Sequence, residues 1–467
     1  MSDPLRVLAD IGEQGWLVGG AVRDRLLERP TTDFDVVLPG PVGDVARRLG
    51  RSAGGFAFEL SEAFGAWRVV AHDHGWQVDL MTLDGATIED DLARRDLTVN
   101  AIAAPLRTDD YVDPFGGASD VARRRLRAVS PEAFRLDPLR TLRLARLACE
   151  LDFSVEPGTL ELARAAAGGL ADVAPERIFA ELKRVICAER ALGGLELMER
   201  MGLLEEILPE LVALRGVEQS RFHHLDVFDH TRAVLAEAIA LEGDPEWLAG
   251  SQAPELAELV AEPLANELTR GQAMRFGALM HDIAKPQTRA VTPEGRVTFM
   301  GHDQAGARMS KAILGRLRAS ERLQEFVAAL TRHHLTLGFL VHSMPLSRRQ
   351  VYDYLCATSP VAVDVTVLSV ADRLATRGDN SEVAIAKHVE LARQMITDAL
   401  AWVADPPRPP VRGDELATAL GIAPGPIVGD LLAELRAARF SGELSTPEQA
   451  IDRARELIAA GTVPRER

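Results

Sequence analysis

Two acidic residues, Asp33 and Asp35, stand two positions apart at the start of the apolar run Val36-Val37-Leu38. On a β-strand, residues i and i+2 point to the same face, so both carboxylates project into one site. Carboxylates held this close repel each other unless a cation lies between them. Magnesium suits the position, because it takes carboxylate oxygens and usually keeps substrate phosphates in its shell. The pair therefore predicts a site for Mg²⁺ and a phosphorylated substrate.

A candidate phosphate cradle lies just upstream, at Gly19-Gly20. Glycine has no Cβ, so the backbone can approach a phosphate closely, and the short helix predicted next offers free N–H groups to an anion. Arg23 adds a planar fork of donors. A lone Gly-Gly turn or a lone Asp-x-Asp is more often only a turn or a solvated strand end. Their occurrence together, in this order, favours a triphosphate site with metal.

The segment Leu17–Leu38 resembles the signature of the nucleotidyltransferase superfamily. Its Gly19-Gly20-x-x-Arg23-Asp24 form is similar to that of the tRNA nucleotidyltransferases and bacterial poly(A) polymerases. The resemblance implies that Asp33 and Asp35 hold two Mg²⁺ ions, and that the glycines and Arg23 hold the triphosphate.

A third acid, Asp79, lies in the apolar segment Gln77–Leu80. A carboxylate beside a metal pair can take the proton from an attacking hydroxyl. Spacing alone favours equally an edge-strand residue that faces water. The resemblance favours the catalytic role.

The segment RRDLTVNAIA, residues 94–103, resembles a second motif of the same family, Arg-Arg-Asp-x-x-x-Asn-Ala. By itself it could be an ordinary basic helix end. The resemblance implies phosphate contacts by Arg94 and Arg95, a ribose contact by Asp96 and a bracing role for Asn100. The turn Asp113–Gly117 matches the third motif, and a basic helix is predicted to start after it.

A helix is predicted from Asp137, with Asp137 and Arg140 on one face at i and i+3 and Arg143 and Arg146 continuing it. An ordinary helix ion pair would explain the first two. The resemblance to the family motif Glu-Asp-x-x-Arg implies instead that they read the Watson–Crick edge of CTP or ATP. Leu136 replaces the Glu of that motif, a departure that concerns helix packing more than base reading.

The bridge MTLDGATIEDDLA between Leu80 and Arg94 is short. Family members that add all of CCA usually carry a long flexible loop in this position. The short bridge resembles members that add only the two cytidines.

Histidine and aspartate recur later in the chain, and a lone helical histidine is more often a structural group than a ligand. Here imidazole and carboxylate together suit a hydrolytic divalent metal that activates water. The order resembles that of HD-type metal phosphohydrolases. It implies ligands at His230, His281, Asp282, His302, His333 and Asp372, with His334 as the alternative to His333.

The elements that position these groups follow from turn residues and periodicity. Short strands are predicted at 16–18, 33–38, 56–60, 67–71 and 76–81, with a further strand at 97–103. Helices are predicted at 41–50 and 87–95 and through most of the chain after residue 136. The acidic stretch Glu242–Glu267, which has no Lys or Arg, is predicted to be a solvated insertion.

Composition bounds the class of protein. The 467 residues exceed one domain, and 47% of them are hydrophobic, which excludes wholesale disorder. A formal charge of −16 excludes a general basic coat for nucleic acid, so RNA contacts must come from local patches such as residues 123–146. Three isolated cysteines, no secretory signal and no long apolar stretch predict a cytoplasmic protein without membrane contact.

The expected fold class is α+β. The resemblance implies a nucleotidyltransferase (polymerase-β-like) mixed-sheet head at 1–135 and an all-α neck at 136–215 for nucleotide selection and RNA binding. An HD-type helical, metal-binding body at 216–402 and a linker with a small helical, tRNA-binding tail at 403–467 follow. The resemblance implies template-independent addition of C, as CC or CCA, to tRNA 3′ ends from CTP or ATP with release of pyrophosphate, and an additional HD phosphohydrolase activity.

The alternatives are an A-adding enzyme or poly(A) polymerase and, in another class, a metal-dependent phosphohydrolase whose head binds RNA. A non-enzymatic RNA-binding module is disfavoured by the intact carboxylates. The sequence gives no indication of the oligomeric state.

Overall fold

The computed structural model describes residues 3–10, 14–61, 65–108, 110–219, 224–377 and 381–461. Its contacts divide the chain into two compact units, Met1–Ile207 and Leu208–Arg467. The first unit contains the stretch predicted as head and the predicted neck up to residue 207, and the second contains the last residues of that neck with the stretches predicted as body and tail. The finer division at 135/136 and 402/403 stays a prediction.

A six-stranded sheet, in the order β3-β4-β5-β2-β1-β6, forms the centre of the first unit. The β2–β5 pairing is parallel and the other pairings are antiparallel, so the predicted mixed sheet is confirmed. The strands are β1 Trp16–Val18, β2 Asp33–Leu38, β3 Gly55–Ser61, β4 Ala66–Ala71, β5 Gln77–Thr82 and β6 Ala103–Pro105.

The two faces of this sheet differ in burial. The inward residues Val36, Val69, Val78 and Leu80 are fully buried. The helix Gly43–Ala53 packs on β3 and β4, and its own buried positions follow a helical period. The alternate residues of the same strands, among them the predicted acids, lie on the other, more open face.

Helices make up the rest of the first unit, joined by a short parallel pair, Arg125–Leu126 with Ser154–Val155. They are Pro4–Asp10, Gly20–Leu26, Gly43–Ala53, Ile88–Ala93, Gly117–Ala122, Ala133–Leu136, Leu139–Leu151, Pro157–Ala166, Pro175–Cys187, Ala191–Arg200 and Leu203–Ile207, with 3₁₀ turns at Thr98–Asn100 and Ala167–Asp172.

Three local predictions in this unit are wrong. The stretch 97–103 is not a strand: it turns as a 3₁₀ helix at Thr98–Asn100, because these side chains bond to neighbouring carboxylates rather than to a partner strand. The helix after the 113–117 turn, Gly117–Ala122, ends before the arginines at 123–127. Asp137 is extended, with φ −146° and ψ 100°, because Pro138 disfavours a helical conformation at the residue before it.

The second unit is helical, with two small hairpins at 263–269 and 290–298. Its helices are Pro209–Val212, Val227–Gly243, Pro245–Ala249, Ala253–Ala261, Arg270–Met280, Lys285–Thr288, His302–Arg316, Glu321–His333, Thr336–Leu340, Arg348–Thr358, Ala362–Ala375, Ser381–Ala404, Gly413–Leu420, Pro426–Phe440 and Pro447–Ala459, with 3₁₀ turns at Gly250–Gln252 and Val341–Ser343.

The acidic stretch 242–267 is folded rather than a solvated insertion. Its two helices, Pro245–Ala249 and Ala253–Ala261, bury Leu248, Leu256 and Leu259. The acids lie between these apolar positions, so the high acidic content of the segment does not reveal that its leucines are buried.

Among the described residues, no single helix has the length and apolar character needed to cross a bilayer. Only the pair Arg348–Thr358 and Ala362–Ala375 meets that test, jointly and with a bend of 98° between the two helices.

Candidate functional site: a carboxylate cavity and a histidine cluster

The three predicted acids of the head lie side by side on the open face of the sheet. The strand register pairs Asp35 on β2 directly with Asp79 on β5. Gln77 donates a hydrogen bond of 2.9 Å to Asp33 Oδ1. Arg68 on β4 binds Asp79 with two bonds of 2.7 Å, one to each carboxylate oxygen. Asp79 is therefore already neutralised, which leaves Asp33 and Asp35 as the acids available to a cation.

Asp35 is held in an unfavourable charged state. Burial, together with the nearby acids Asp33 and Asp79, raises the pKa of this carboxyl to about 6 against the opposing effect of Arg95. A divalent cation would relieve both the burial and the repulsion, so the donor set fits Mg²⁺. The backbone of Gly19, at φ +71°, lies close to these side chains. A Cβ at this position would lie 3.3 Å from Asp35 Oδ2 and 3.0 Å from Arg95 Nη1.

A cavity of about 580 Å³ opens beside these acids within the first unit. Most of the predicted site residues line it, together with further basic residues. The lining includes Gly19, Gly20, Arg23, Asp33, Asp35, Arg95, Asp96, Asn100, Asp137, Arg140, Arg143, Arg146, Arg177 and Arg184. Arg94 is not among them: its side chain is 59% exposed and pairs with Asp84 at 2.7 Å. The predicted phosphate contact by Arg94 therefore has no support in this geometry.

Asp96 is the centre of a buried network at one wall of the cavity. It accepts bonds from the Leu97 N–H at 2.8 Å, from Asn100 Nδ2 at 3.1 Å and from Arg143 Nε at 2.9 Å. Burial alone would raise the pKa of Asp96, but Arg143 and these hydrogen bonds lower it to about 2. Arg23 Nη1 donates to Asn100 Oδ1 at 2.8 Å. The predicted bracing role of Asn100 thus has a geometric basis, because it joins Arg23 to Asp96.

Asp137 and Arg140 do not form the helix-face pair that spacing suggested. Asp137 Oδ2 accepts a bond of 2.9 Å from Arg177, while Arg140 donates to the backbone carbonyls of Arg94 and Ala133 at 2.7 and 3.0 Å. Both side chains still line the cavity. Leu136, which replaces the Glu of the motif, is 66% exposed and contributes nothing to the helix core.

Sequence reasoning missed several residues that position the site. Arg68 and Gln77 hold Asp79 and Asp33, and strand alternation could have placed both on the acidic face. Asp120 is fully buried and binds Thr98, Arg125 and Arg127 with bonds of 2.5–2.9 Å. An acid three residues after Gly117 carries no sequence signal of that role.

The second candidate site is a cluster of buried histidines and aspartates in the second unit. Its potential ligand atoms lie within 4.8 Å of one another in two groups that share Asp282, namely His230-His281-Asp282 and Asp282-His302-His334. Asp372 Oδ1 lies 3.0 Å from His230 Nε2. The cluster contains His334 rather than His333, which is half-buried and outside both groups, so the prediction of His333 is replaced by its alternative.

The hydrogen bonds of the histidines in this cluster favour a bound cation. Nδ1 of His281, His302 and His334 each lies 2.6–2.8 Å from a backbone carbonyl oxygen three residues upstream, so Nδ1 must carry the proton. In the neutral imidazoles the lone pair is then on Nε2, and these Nε2 atoms converge on the Asp282 carboxylate, at 3.1, 3.3 and 3.8 Å. Both Asp282 oxygens and His281 Nε2 are buried without a hydrogen bond.

Histidine lone pairs that face the Asp282 carboxylate repel it unless a positive charge lies between them. Imidazole and carboxylate ligands suit a divalent transition metal in that position. Lys285, which sequence reasoning did not single out, supplies one nearby charge, with Nζ 2.6 Å from Asp282 Oδ2.

Family models match three stretches of the chain. The poly A polymerase head domain matches residues 15–85 and 71–127, a probable RNA and SrmB-binding site of polymerase A matches residues 152–214, and the HD domain matches residues 227–377.

Two full-length relatives align with nearly the whole chain. An A-adding tRNA nucleotidyltransferase of Deinococcus radiodurans is 37% identical over 441 residues, which span 93% of each protein. A CC-adding tRNA nucleotidyltransferase of Thermus thermophilus is 35% identical over 442 residues, 93% of this chain and 91% of the relative.

Solved structures agree in fold. A CCA-adding enzyme in its apo form superposes with a TM-score of 0.66 at 19% identity, over 98% of this chain and 95% of that one. The Thermotoga maritima CCA-adding enzyme, solved with tRNA, gives a TM-score of 0.62 at 18% identity, over 97% and 94% of the two chains. With the matched domains and the full-length relatives, this shows that the chain belongs to the tRNA nucleotidyltransferase family.

Proposed function

We propose that the cavity of the first unit adds cytidine to the 3′ end of tRNA by attack of the terminal hydroxyl on the α-phosphate of CTP, with release of pyrophosphate. The observation that carries this proposal is the acid pair Asp33 and Asp35 at the edge of an arginine-lined cavity. Asp33 and Asp35 would hold Mg²⁺, which when bound supplies charge neutralisation for both the attacking and the leaving oxygen.

The other cavity residues would bind the nucleotide. Gly19 and Gly20 leave room for the triphosphate, and Arg23 and Arg95 face it with guanidinium donors. Asp96, ionised at neutral pH, is an acceptor for a ribose hydroxyl. Asp137 and Arg140 are the candidates for base contact, provided that the base takes over from Arg177 and from the carbonyls they now bind.

Asp79 would not serve as the general base that takes the proton of the attacking hydroxyl. Since Arg68 occupies both its oxygens, Asp79 is poorly placed to accept the hydroxyl proton and serves instead to hold Arg68 beside the acid pair.

The nucleotide specificity is tested by product length. Transcripts of one tRNA that end before, within and after the CC sequence are offered with CTP or ATP and Mg²⁺. Cytidine addition predicts extension of the first two by CTP alone and no extension with ATP. Extension only of the transcript that ends in CC, and only by ATP, would replace this proposal with A addition; long ATP-derived tails would indicate poly(A) synthesis. The Asp33→Ala variant is the metal-site control.

A second activity is favoured by the buried histidine cluster. The Nε2 atoms that converge on the buried Asp282 carboxylate support a divalent metal site, and the HD resemblance supports phosphoester hydrolysis there. A bound metal would supply activated water. The chain's own groups would hold the ligands in orientation through the backbone carbonyls at Nδ1.

Two adjacent histidines provide a matched test of this metal site. We expect His334→Ala to lose bound transition metal, measured by elemental analysis after equilibrium dialysis, with an affinity at least about 10-fold lower because a direct ligand is removed. His333→Ala should retain the wild-type metal content. Both variants should keep nucleotide addition. Equal metal content in the two variants would contradict the assignment.

A further inference from the structure

Two exposed aromatic rings mark the edge strand β3. Phe56 and Phe58 are 44% and 40% exposed, and their rings stack with centroids 6.0 Å apart and planes 22° from parallel. Strand β3 is the last strand on its side of the sheet. Large apolar side chains are usually buried, so a stacked pair of rings facing solvent indicates a surface with a binding role.

The strand register connects these rings to the acids. Across the sheet, one row of directly paired residues runs Phe58–Arg68–Asp79–Asp35, and the adjacent row runs Phe56–Val70–Gln77–Asp33. Directly paired residues point to the same face of a sheet. The Arg68–Asp79 and Gln77–Asp33 hydrogen bonds confirm that both rows share one face. The two rings therefore belong to the same open face as the carboxylates.

The nucleotide cavity lies on the other side of the acid pair. Gly19 and Gly20, which follow β1, contribute to its lining, whereas among the described residues that line it none comes from β3, β4 or β5. In phosphoryl transfer the attacking and leaving oxygens lie roughly in line. With the triphosphate on the β1 side of Asp33 and Asp35, as in the proposed function, the in-line geometry favours approach of the RNA end from the side that leads toward β3.

The distance suits a single strand of RNA. Three strand spacings separate β2 from β3, which is about 14 Å at roughly 4.8 Å per spacing. That is the length of about four stacked nucleotides at 3.4 Å each. The rings are thus within reach of bases just upstream of the reacting 3′ hydroxyl.

We propose that Phe56 and Phe58, here called the Phe platform, stack against bases of the single-stranded 3′ end of the tRNA substrate, a few nucleotides upstream of the reacting hydroxyl. The proposal rests on the function proposed for Asp33 and Asp35. Aromatic side chains on a sheet face are suited to unstacked bases, and every base has a face to offer. Between the platform and the acids, Arg68 is paired with Asp79, so it does not repel the metal ions.

The test compares substitutions that remove the aromatic ring, with or without keeping an apolar side chain, by measuring KM for the tRNA. Phe56→Ala/Phe58→Ala and Phe56→Leu/Phe58→Leu should both raise KM for the tRNA about 5- to 150-fold, the usual cost of losing a ring stacked on a base. Phe56→Tyr/Phe58→Tyr should restore a KM near that of the wild type. KM for the nucleoside triphosphate and kcat should change less than twofold. Glu59→Ala, exposed on the same strand, is the matched control.

Abasic nucleotides placed singly at each of the last positions of the transcript locate the contact. In the wild type, one or two abasic positions should raise KM for the tRNA, and the same lesions should add little in the double alanine variant. An unchanged KM for tRNA in that variant, with unchanged thermal unfolding, overturns the platform. So does a shift in oligomeric mass with unchanged KM, which would make the rings a self-association surface. Loss of addition in Asp33→Ala alongside either result would leave the proposed function standing.

Discussion

Replacing Asp35 by Asn is expected to abolish nucleotide addition and, without divalent metal, to stabilise the first unit. The carboxylate is mostly buried next to two other acids, and its pKa of about 6 against an ordinary value of 3.8 corresponds to a cost of about 2 to 3 kcal/mol for holding it ionised in the folded state. Asparagine has nearly the same shape and no charge, so it avoids that cost while losing the metal.

The pH dependence follows from the direction of this shift. The pKa of Asp35 is higher in the folded than in the unfolded chain, so the cost is fully present above about pH 6 and disappears as pH falls through 3.8. Calorimetry in chelator at pH 8 should therefore show the transition of the first unit roughly 5 to 10 °C higher in the variant, with the difference shrinking toward pH 4. Added Mg²⁺ should raise the wild-type transition and leave that of the variant nearly unchanged.

The same Asp35→Asn substitution should also reduce the rate of nucleotide addition. Addition should fall by about 10³-fold or more, since metal stabilisation of the transition state amounts to several kcal/mol. Glu59→Ala, an exposed acid on β3, should change neither property. A variant that is inactive but no more stable would contradict the burial argument, whereas a stable variant that adds nucleotides normally would remove Asp35 from the site.

Short-range chemistry explains what could be predicted from the sequence. The two-residue spacing of Asp33 and Asp35 is enough to place both carboxylates on one face of their strand, because strand geometry is local. The position of Asp79 beside them depends on the pairing of β2 with β5, which spacing does not reveal. The helices Pro175–Cys187 and Pro447–Ala459 each begin with proline, whose fixed φ suits the first turn of a helix and is likewise a local property.

Long-range pairings explain what could not be predicted. Local sequence does not show that Arg68 lies opposite Asp79 or that Arg177 reaches Asp137. It also does not show that Asp96 binds the guanidinium of Arg143, 47 residues later in the chain. Long-range packing also explains why the sequence could not decide whether His333 or His334 belongs to the metal cluster. Adjacent helical residues point in different directions, and only the packing of the helix Glu321–His333 against its neighbours decides which imidazole meets Asp282.

Asp120 should contribute strongly to the stability of the structure near the site. It has no exposed surface, and its two oxygens accept bonds from Arg125, Arg127 and the buried hydroxyl of Thr98. Thr98 begins the 3₁₀ turn that carries Asn100, so Asp120 ties the two arginines to the turn that braces Asp96. Gly117 makes the fit close, since a Cβ there would lie 2.0 Å from the Thr98 carbonyl oxygen.

Asp120→Ala is therefore expected to destabilise the first unit by about 2 to 4 kcal/mol in chemical denaturation, because a buried hydroxyl loses its acceptor and two guanidinium groups lose their counter-charge. The half-exposed arginines can hydrate, which keeps the cost below that of a fully buried pair. Asp44→Ala, which breaks the exposed Asp44–Arg47 pair, is the control and should change the free energy of unfolding by less than about 0.5 kcal/mol.

A second readout separates bracing from simple loss of stability. At a temperature where the Asp120→Ala variant is fully folded, KM for the nucleoside triphosphate should still rise, because the Thr98–Asn100 turn no longer holds Arg23 and Asp96 in place. Asp120→Asn, which can still accept from Thr98 but lacks the charge, should lie between alanine and the wild type in both measurements. Wild-type KM in a destabilised alanine variant would show that the turn holds its position without this carboxylate.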